Sequence, residues 1–98
     1  MARDPVLVDL YDALHEPFPR SLEKAGLDWV ELDQLSRDIT GAASHYVNNT
    51  RPLTAVHRIW LTEYIADVDR LMRQLPDGYA VEYFSRHREI ARYLLATR

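Results

Sequence analysis

Apolar residues recur along this chain at steps of three and four, the mark of helices that each bury one face. Val6, Leu7, Leu10, Tyr11 and Leu14 share a face behind Asp4-Pro5, a capping carboxylate followed by proline at the first helical position. Pro17-Phe18-Pro19 ends this short leading helix. Ser21 to Ala25 predicts one further turn, closed by Gly26 in the left-handed conformation. Leu32, Leu35, Ile39, Ala42 and Tyr46 then form the seam of a first long helix. It starts at Asp28, with Glu31 in a capping-box arrangement, and ends at Asn48-Asn49. Pro52 opens a second long helix reaching Leu75, with Leu53, Val56, Trp60, Leu61, Tyr64, Val68, Leu71 and Leu75 facing inward. Pro76-Asp77-Gly78 is a turn. A third long helix follows from about Tyr79 and directs Tyr83, Phe84, Ile90, Ala91, Leu94 and Leu95 inward.

Short connections favour antiparallel neighbours. The pattern therefore predicts one all-α domain over residues 1–98: three long antiparallel helices plus a short N-terminal helix, close to a small four-helix bundle. A hydrophobic share of 47% and a charged share of 28% match ordinary globular usage and argue against wholesale disorder. A chain this short buries a modest fraction of its surface, so a second copy or a partner protein is expected to complete its core. The absence of cysteine removes disulfides, thiolate catalysis and cysteine-based zinc sites. No apolar run approaches the roughly 20 residues needed to span a bilayer, and Met1 to Pro5 opens no signal peptide. The expectation is a cytoplasmic protein without a membrane partner.

The net charge of −3 is unevenly spread: residues 1–38 carry nine acidic and four basic side chains, whereas residues 79–98 carry four arginines against two glutamates. An acidic front and a basic tail favour self-association. On the last helix Arg88 and Arg92 share a face, but Arg86 does not, which makes a small footprint for a nucleic-acid-binding regulator. Arginine outnumbers lysine eleven to one, a composition typical of a GC-rich genome. Asp33 with Arg37, Asp69 with Arg73 and Glu82 with Arg86 are spaced as exposed intrahelical pairs.

Four histidines in a helical protein raise the question of a metal. The sequence has no Glu-x-x-His and no His-Glu-x-x-His. Antiparallel packing about the turn at 76–78 sets His87 level with Asp67 and leaves His57 about 15 Å away, too far to share an ion. No metal or other cofactor is therefore expected, and His87 reads as a core-edge histidine bonded to a group such as Asp67. The turn near residue 50 instead brings His45 and His57 to one end, together with Asn48, Asn49 and Arg51.

Arg51 and His57, with five residues between them, resemble the arginine–histidine motif of HEPN-type ribonucleases, which are also small helical bundles. The resemblance implies an arginine and a histidine from two subunits acting on an RNA phosphodiester, the histidine as acid or base and the arginine on phosphoryl charge. It covers those two residues and departs at Pro52, where that family favours a polar side chain. The run Gly26-Leu27-Asp28-Trp29-Val30-Glu31-Leu32-Asp33, followed by Gly41, Ser44-His45-Tyr46, Asn49 and Leu53, resembles small uncharacterised all-helical proteins of GC-rich actinobacteria and implies no activity.

Trp29 stands in a first helical turn rather than at a seam centre, which suits an anchor for the leading helix or for a partner. Thr40-Gly41-Ala42-Ala43-Ser44 is a run of small residues inside a helix, suited to close approach of another helix or to the floor of a pocket. With no catalytic motif, the leading expectation is a non-catalytic helical interaction module that self-associates, as a homodimer for example, or docks a partner protein. Its binding residues would be drawn from His45, Asn49, Trp29, Arg88 and Arg92. The HEPN-like ribonuclease and the nucleic-acid-binding regulator stand as alternatives.

Overall fold

The computed structural model describes residues 4–26, 28–48 and 52–96. Among these residues the chain is all-α, and no helix is long and apolar enough to cross a membrane. Helix α1 spans Pro5–Asp12, α2 Ser21–Lys24, α3 Trp29–Asn48, α4 Ala55–Leu71 and α5 Gly78–Ala96, with a 3₁₀ turn at Met72–Gln74 extending α4.

Local chemistry accounts for most of the boundaries. The Asp4 carboxylate accepts the backbone N–H of Val6 at 3.0 Å and of Leu7 at 3.4 Å, and Pro5 needs no partner at the first position. Asp28 accepts the N–H of Glu31 at 3.2 Å as α3 begins. Asp77 accepts the N–H of Ala80 at 2.9 Å and so starts α5 one residue before the expected Tyr79. Gly26 has φ +75°, the left-handed geometry expected behind the short α2. Two boundaries differ from expectation. Helix α1 ends at Asp12, well before Pro17. Helix α4 starts behind Thr54, whose hydroxyl accepts the N–H of His57 at 3.1 Å, and not at Pro52. A side-chain cap satisfies an otherwise orphaned amide, which proline alone cannot do.

The centre of the fold is α5. Ala80, Tyr83, Phe84, His87, Ile90, Ala91 and Leu94 are buried along its whole length, and α1, α3 and α4 all pack against it. Direct contact between α3 and α4 is sparse. On α3 the buried line is Leu32, Ser36, Ile39, Ala43, Tyr46 and Val47, one position round from the expected Leu35 and Ala42, which are half-buried. On α4 it is Leu61, Tyr64 and Val68. Val56, expected inside, is 73% exposed, and Val6 on α1 is 50% exposed. The inward stripe of α4 is set by contact with α5, and Val56 lies outside it.

Polar ties join the helices at their rims. Asp69 receives Arg88 at 2.7 Å and Arg92 at 3.8 Å, rather than the expected Arg73. Asp33–Arg37 at 2.9 Å and Glu82–Arg86 at 3.6 Å form as expected. The Tyr93 hydroxyl donates to Asp4 and the Tyr79 hydroxyl to the Pro17 carbonyl, pinning both ends of the N-terminal segment to α5.

One core hydroxyl lacks such a partner. Tyr64 is 1% exposed, and its hydroxyl meets no hydrogen-bonding group among the described residues, so burial pushes its pKa well above the ordinary value. An unsatisfied buried donor costs about 1–3 kcal/mol. Tyr64→Phe should therefore raise stability, by about 1 kcal/mol in a urea titration. A loss of that size would show that the hydroxyl is bonded in solution.

Candidate functional site

Two polar clusters lie on α3, one buried and one open. In the buried cluster, His87 Nδ1 lies 2.7 Å from the Tyr83 carbonyl, which can only accept, so Nδ1 carries the proton. His87 Nε2 is then an acceptor for the Ser36 hydroxyl at 3.0 Å. Ser36 Oγ in turn accepts from the Tyr83 hydroxyl at 2.5 Å. The result is a directed chain, Tyr83 O–H to Ser36 O–H to His87 Nε2, that links α3 to α5. Burial holds the His87 pKa below its ordinary value and raises that of Tyr83. His87 is thus deep in the core at 1% exposure, and its partners are Ser36 and Tyr83 instead of Asp67, which pairs with Arg70 on its own helix.

A serine bonded to a neutral histidine has two parts of a nucleophile–base pair. The remaining requirements are unmet. Ser36 is 4% exposed, and it sits mid-helix, where neighbouring amides are engaged in helical hydrogen bonds and supply no oxyanion hole. The cluster acts instead as a register lock between two helices, because only one alignment of α3 on α5 satisfies all three groups.

The open cluster lies where α3 and α4 diverge. A groove of about 590 Å³ is lined by Arg37, Asp38, Gly41, Ala42, His45, Val56, His57 and Trp60. His45 and His57 come together as the turn arithmetic predicts, with ring centroids 6.3 Å apart. The ring of His57 is oriented from below. The Tyr46 hydroxyl accepts the Thr54 N–H at 3.2 Å and is hydrogen-bonded to His57 Nδ1 at 2.6 Å, a contact in which either group can be the donor. The helix floor of the groove is Gly41 and Ala42. A Cβ on Gly41 would meet nothing within 4 Å among the described residues, so none of them uses the close approach that the glycine permits. Ile59, next to Trp60 on α4, is 63% exposed.

The other expected site residues are dispersed. Trp29, 39% exposed, stands at the start of α3, far along the helix from Gly41. Arg88 and Arg92 are drawn to Asp69, so their charges tie α5 to α4. Asn49 and Arg51 lie outside the described residues, and with Arg51 goes half of the ribonuclease motif. Among the described residues, no three histidine, aspartate or glutamate side chains gather to hold a metal ion.

Ser36 and the role of Thr54 were missed in the sequence. A serine in an apolar line reads as an interruption, although spacing from Leu32 and Ile39 places it on the buried face. Thr54, followed by an apolar-rich helix, carried a capping signal that Pro52 obscured. Among known proteins, no family model, no curated protein and no solved structure matches this chain.

Proposed function

We propose that this chain is a non-catalytic, cytoplasmic interaction module, which self-associates or docks a partner protein in the groove between α3 and α4. Its long helices pack antiparallel as a small four-helix-bundle-like domain, with the groove along one side. The observation that carries the reading is Gly41. A glycine in a helix interior costs about 1 kcal/mol relative to alanine, and no contact among the described residues requires it. The cost is offset if a second helix approaches the backbone at that point. Val56 and Trp60 beside it offer the apolar surface that such a helix would cover.

Gly41→Leu separates this reading from a purely structural one. The substitution fills open space and improves helix propensity, so the thermal midpoint should hold or rise. Association should be lost, read by sedimentation velocity at micromolar concentration and by affinity capture from an extract of the source cells. A wild-type chain that is monomeric and retains nothing overturns the proposal. So does association that Gly41→Leu leaves unchanged.

A further inference from the structure

We infer that the occupant of the groove is the same groove of a second copy of this chain, with α3 crossing α3 antiparallel at Gly41 and Asp38 of each copy seated against the His45–His57 pair of the other. This rests on the proposal that the groove is a docking surface. It adds the partner, the register and the polar contact.

The charge arrangement carries it. Of the charged groups lining the groove, Arg37 is already paired with Asp33 at 2.9 Å. Asp38 is exposed and accepts a hydrogen bond from the neutral Gln34 at 2.8 Å, which leaves its charge uncompensated there. Among the described residues it forms no ion pair. The groove thus carries a carboxylate on the N-terminal side of Gly41 and two imidazoles on the C-terminal side. A surface polarised in this way is complementary to itself only when turned end for end. An antiparallel crossing at Gly41 sets Asp38 of one copy within one residue, about 1.5 Å along the axis, of the level of His45 in the other. A parallel crossing brings Asp38 against Asp38. The acceptor-only carboxylate then faces the two imidazole rings, each of which carries at least one N–H.

Shape and size agree. Gly41 against Gly41 at the two-fold axis lets the backbones come close, while Val56 and Trp60 flank the crossing and lose water. The smaller stable interfaces need roughly 600 Å² from each copy. A face two helices wide, about 25 Å long and about 20 Å across, supplies an area of that order once side-chain relief is counted. It is a small part of the 6102 Å² that the chain exposes.

The test is a complementation of two full-length variants, Asp38→Arg and His45→Asp, both at exposed positions, with circular dichroism and thermal melting confirming that each folds. Alone, Asp38→Arg sets a donor-only guanidinium against the imidazole pair and His45→Asp sets a carboxylate against Asp38, so sedimentation equilibrium should show a dimer at least about tenfold weaker than wild type for each. An equimolar mixture restores both contacts. In the mixed dimer the introduced arginine faces the introduced aspartate on one side of the axis, and the native Asp38 faces the native His45 on the other. The mixture should recover wild-type affinity to within about threefold. A monomeric wild type overturns the second copy as occupant. If extract capture sensitive to Gly41→Leu persists in that case, the docking surface stands and its partner is a different protein. A wild-type dimer that both variants leave intact, or a mixture that fails to recover, overturns this register.

Discussion

Replacing His87 by alanine should lower the stability of this protein by about 3 kcal/mol. The ring lies in the core at 1% exposure, so its removal leaves a cavity, and it is the acceptor for the buried Ser36 hydroxyl at 3.0 Å. For a chain of this length such a loss corresponds to a thermal midpoint lower by roughly 15 °C. His87→Phe divides the effect: it fills most of the space but takes away the acceptor of the Ser36 hydrogen, so its cost should be about half as large. Ser36→Ala should in turn be milder on a His87→Phe background than on wild type, because one of the two partners of Ser36 is already gone. A double-mutant cycle by urea unfolding should return a coupling of about 1 kcal/mol. A His87→Ala loss below about 0.5 kcal/mol, the level of an ordinary surface substitution, would show that the network does not hold α3 to α5.

The same residue sets a pH dependence. Burial holds the folded pKa of His87 below the ordinary 6.5, so between those two values the unfolded chain binds more protons than the folded one. Stability is then fully present above pH 6.5 and is lost as the pH falls toward the depressed folded value, at up to about 1.4 kcal/mol per pH unit. Protonation at Nε2 would also turn the acceptor of the Ser36 hydroxyl into a donor, so the directed chain has to break. The carboxylates act in a different window. Asp4 is held low first by the Tyr93 hydroxyl, and Asp77 first by the Ala80 amide; their contributions are present above 3.8 and vanish only as the pH falls below it. Denaturant midpoints measured from pH 7.5 to 5 should therefore fall for wild type and flatten for His87→Phe. Equal slopes in the two proteins would place the acid sensitivity elsewhere.

Much of this molecule is legible in the order of its residues. Asp4-Pro5, Asp28, Gly26 and Pro76-Asp77-Gly78 act through their own backbone, by capping, by a positive φ or by breaking a helix, and so they delimit helices without reference to the rest of the chain. Spacing at three and four placed Leu32, Ile39, Tyr46, Leu61, Tyr64, Val68, Phe84 and Ile90 inside. The meeting of His45 with His57 followed from the short turn between their helices.

What spacing left undecided is which way each stripe turns and what fills its gaps. Leu35 with Ala42 and Ser36 with Ala43 fit the α3 period equally well, and an apolar count favours the first pair. The structure buries Ser36 because Tyr83 and His87, 47 and 51 residues further on, bring polar atoms to that point. A hydroxyl is tolerated in a core only with its partner in place, and that partner is supplied by another helix. For the same reason, the outward turn of Val56 and the open space over Gly41 belong to the tertiary arrangement: α1, α3 and α4 all lean on α5, and α3 and α4 touch each other only sparsely. Sequence alone determined the helices, their caps and most of the core. Long-range packing decided which polar residues are locked inside and which apolar face remains uncovered.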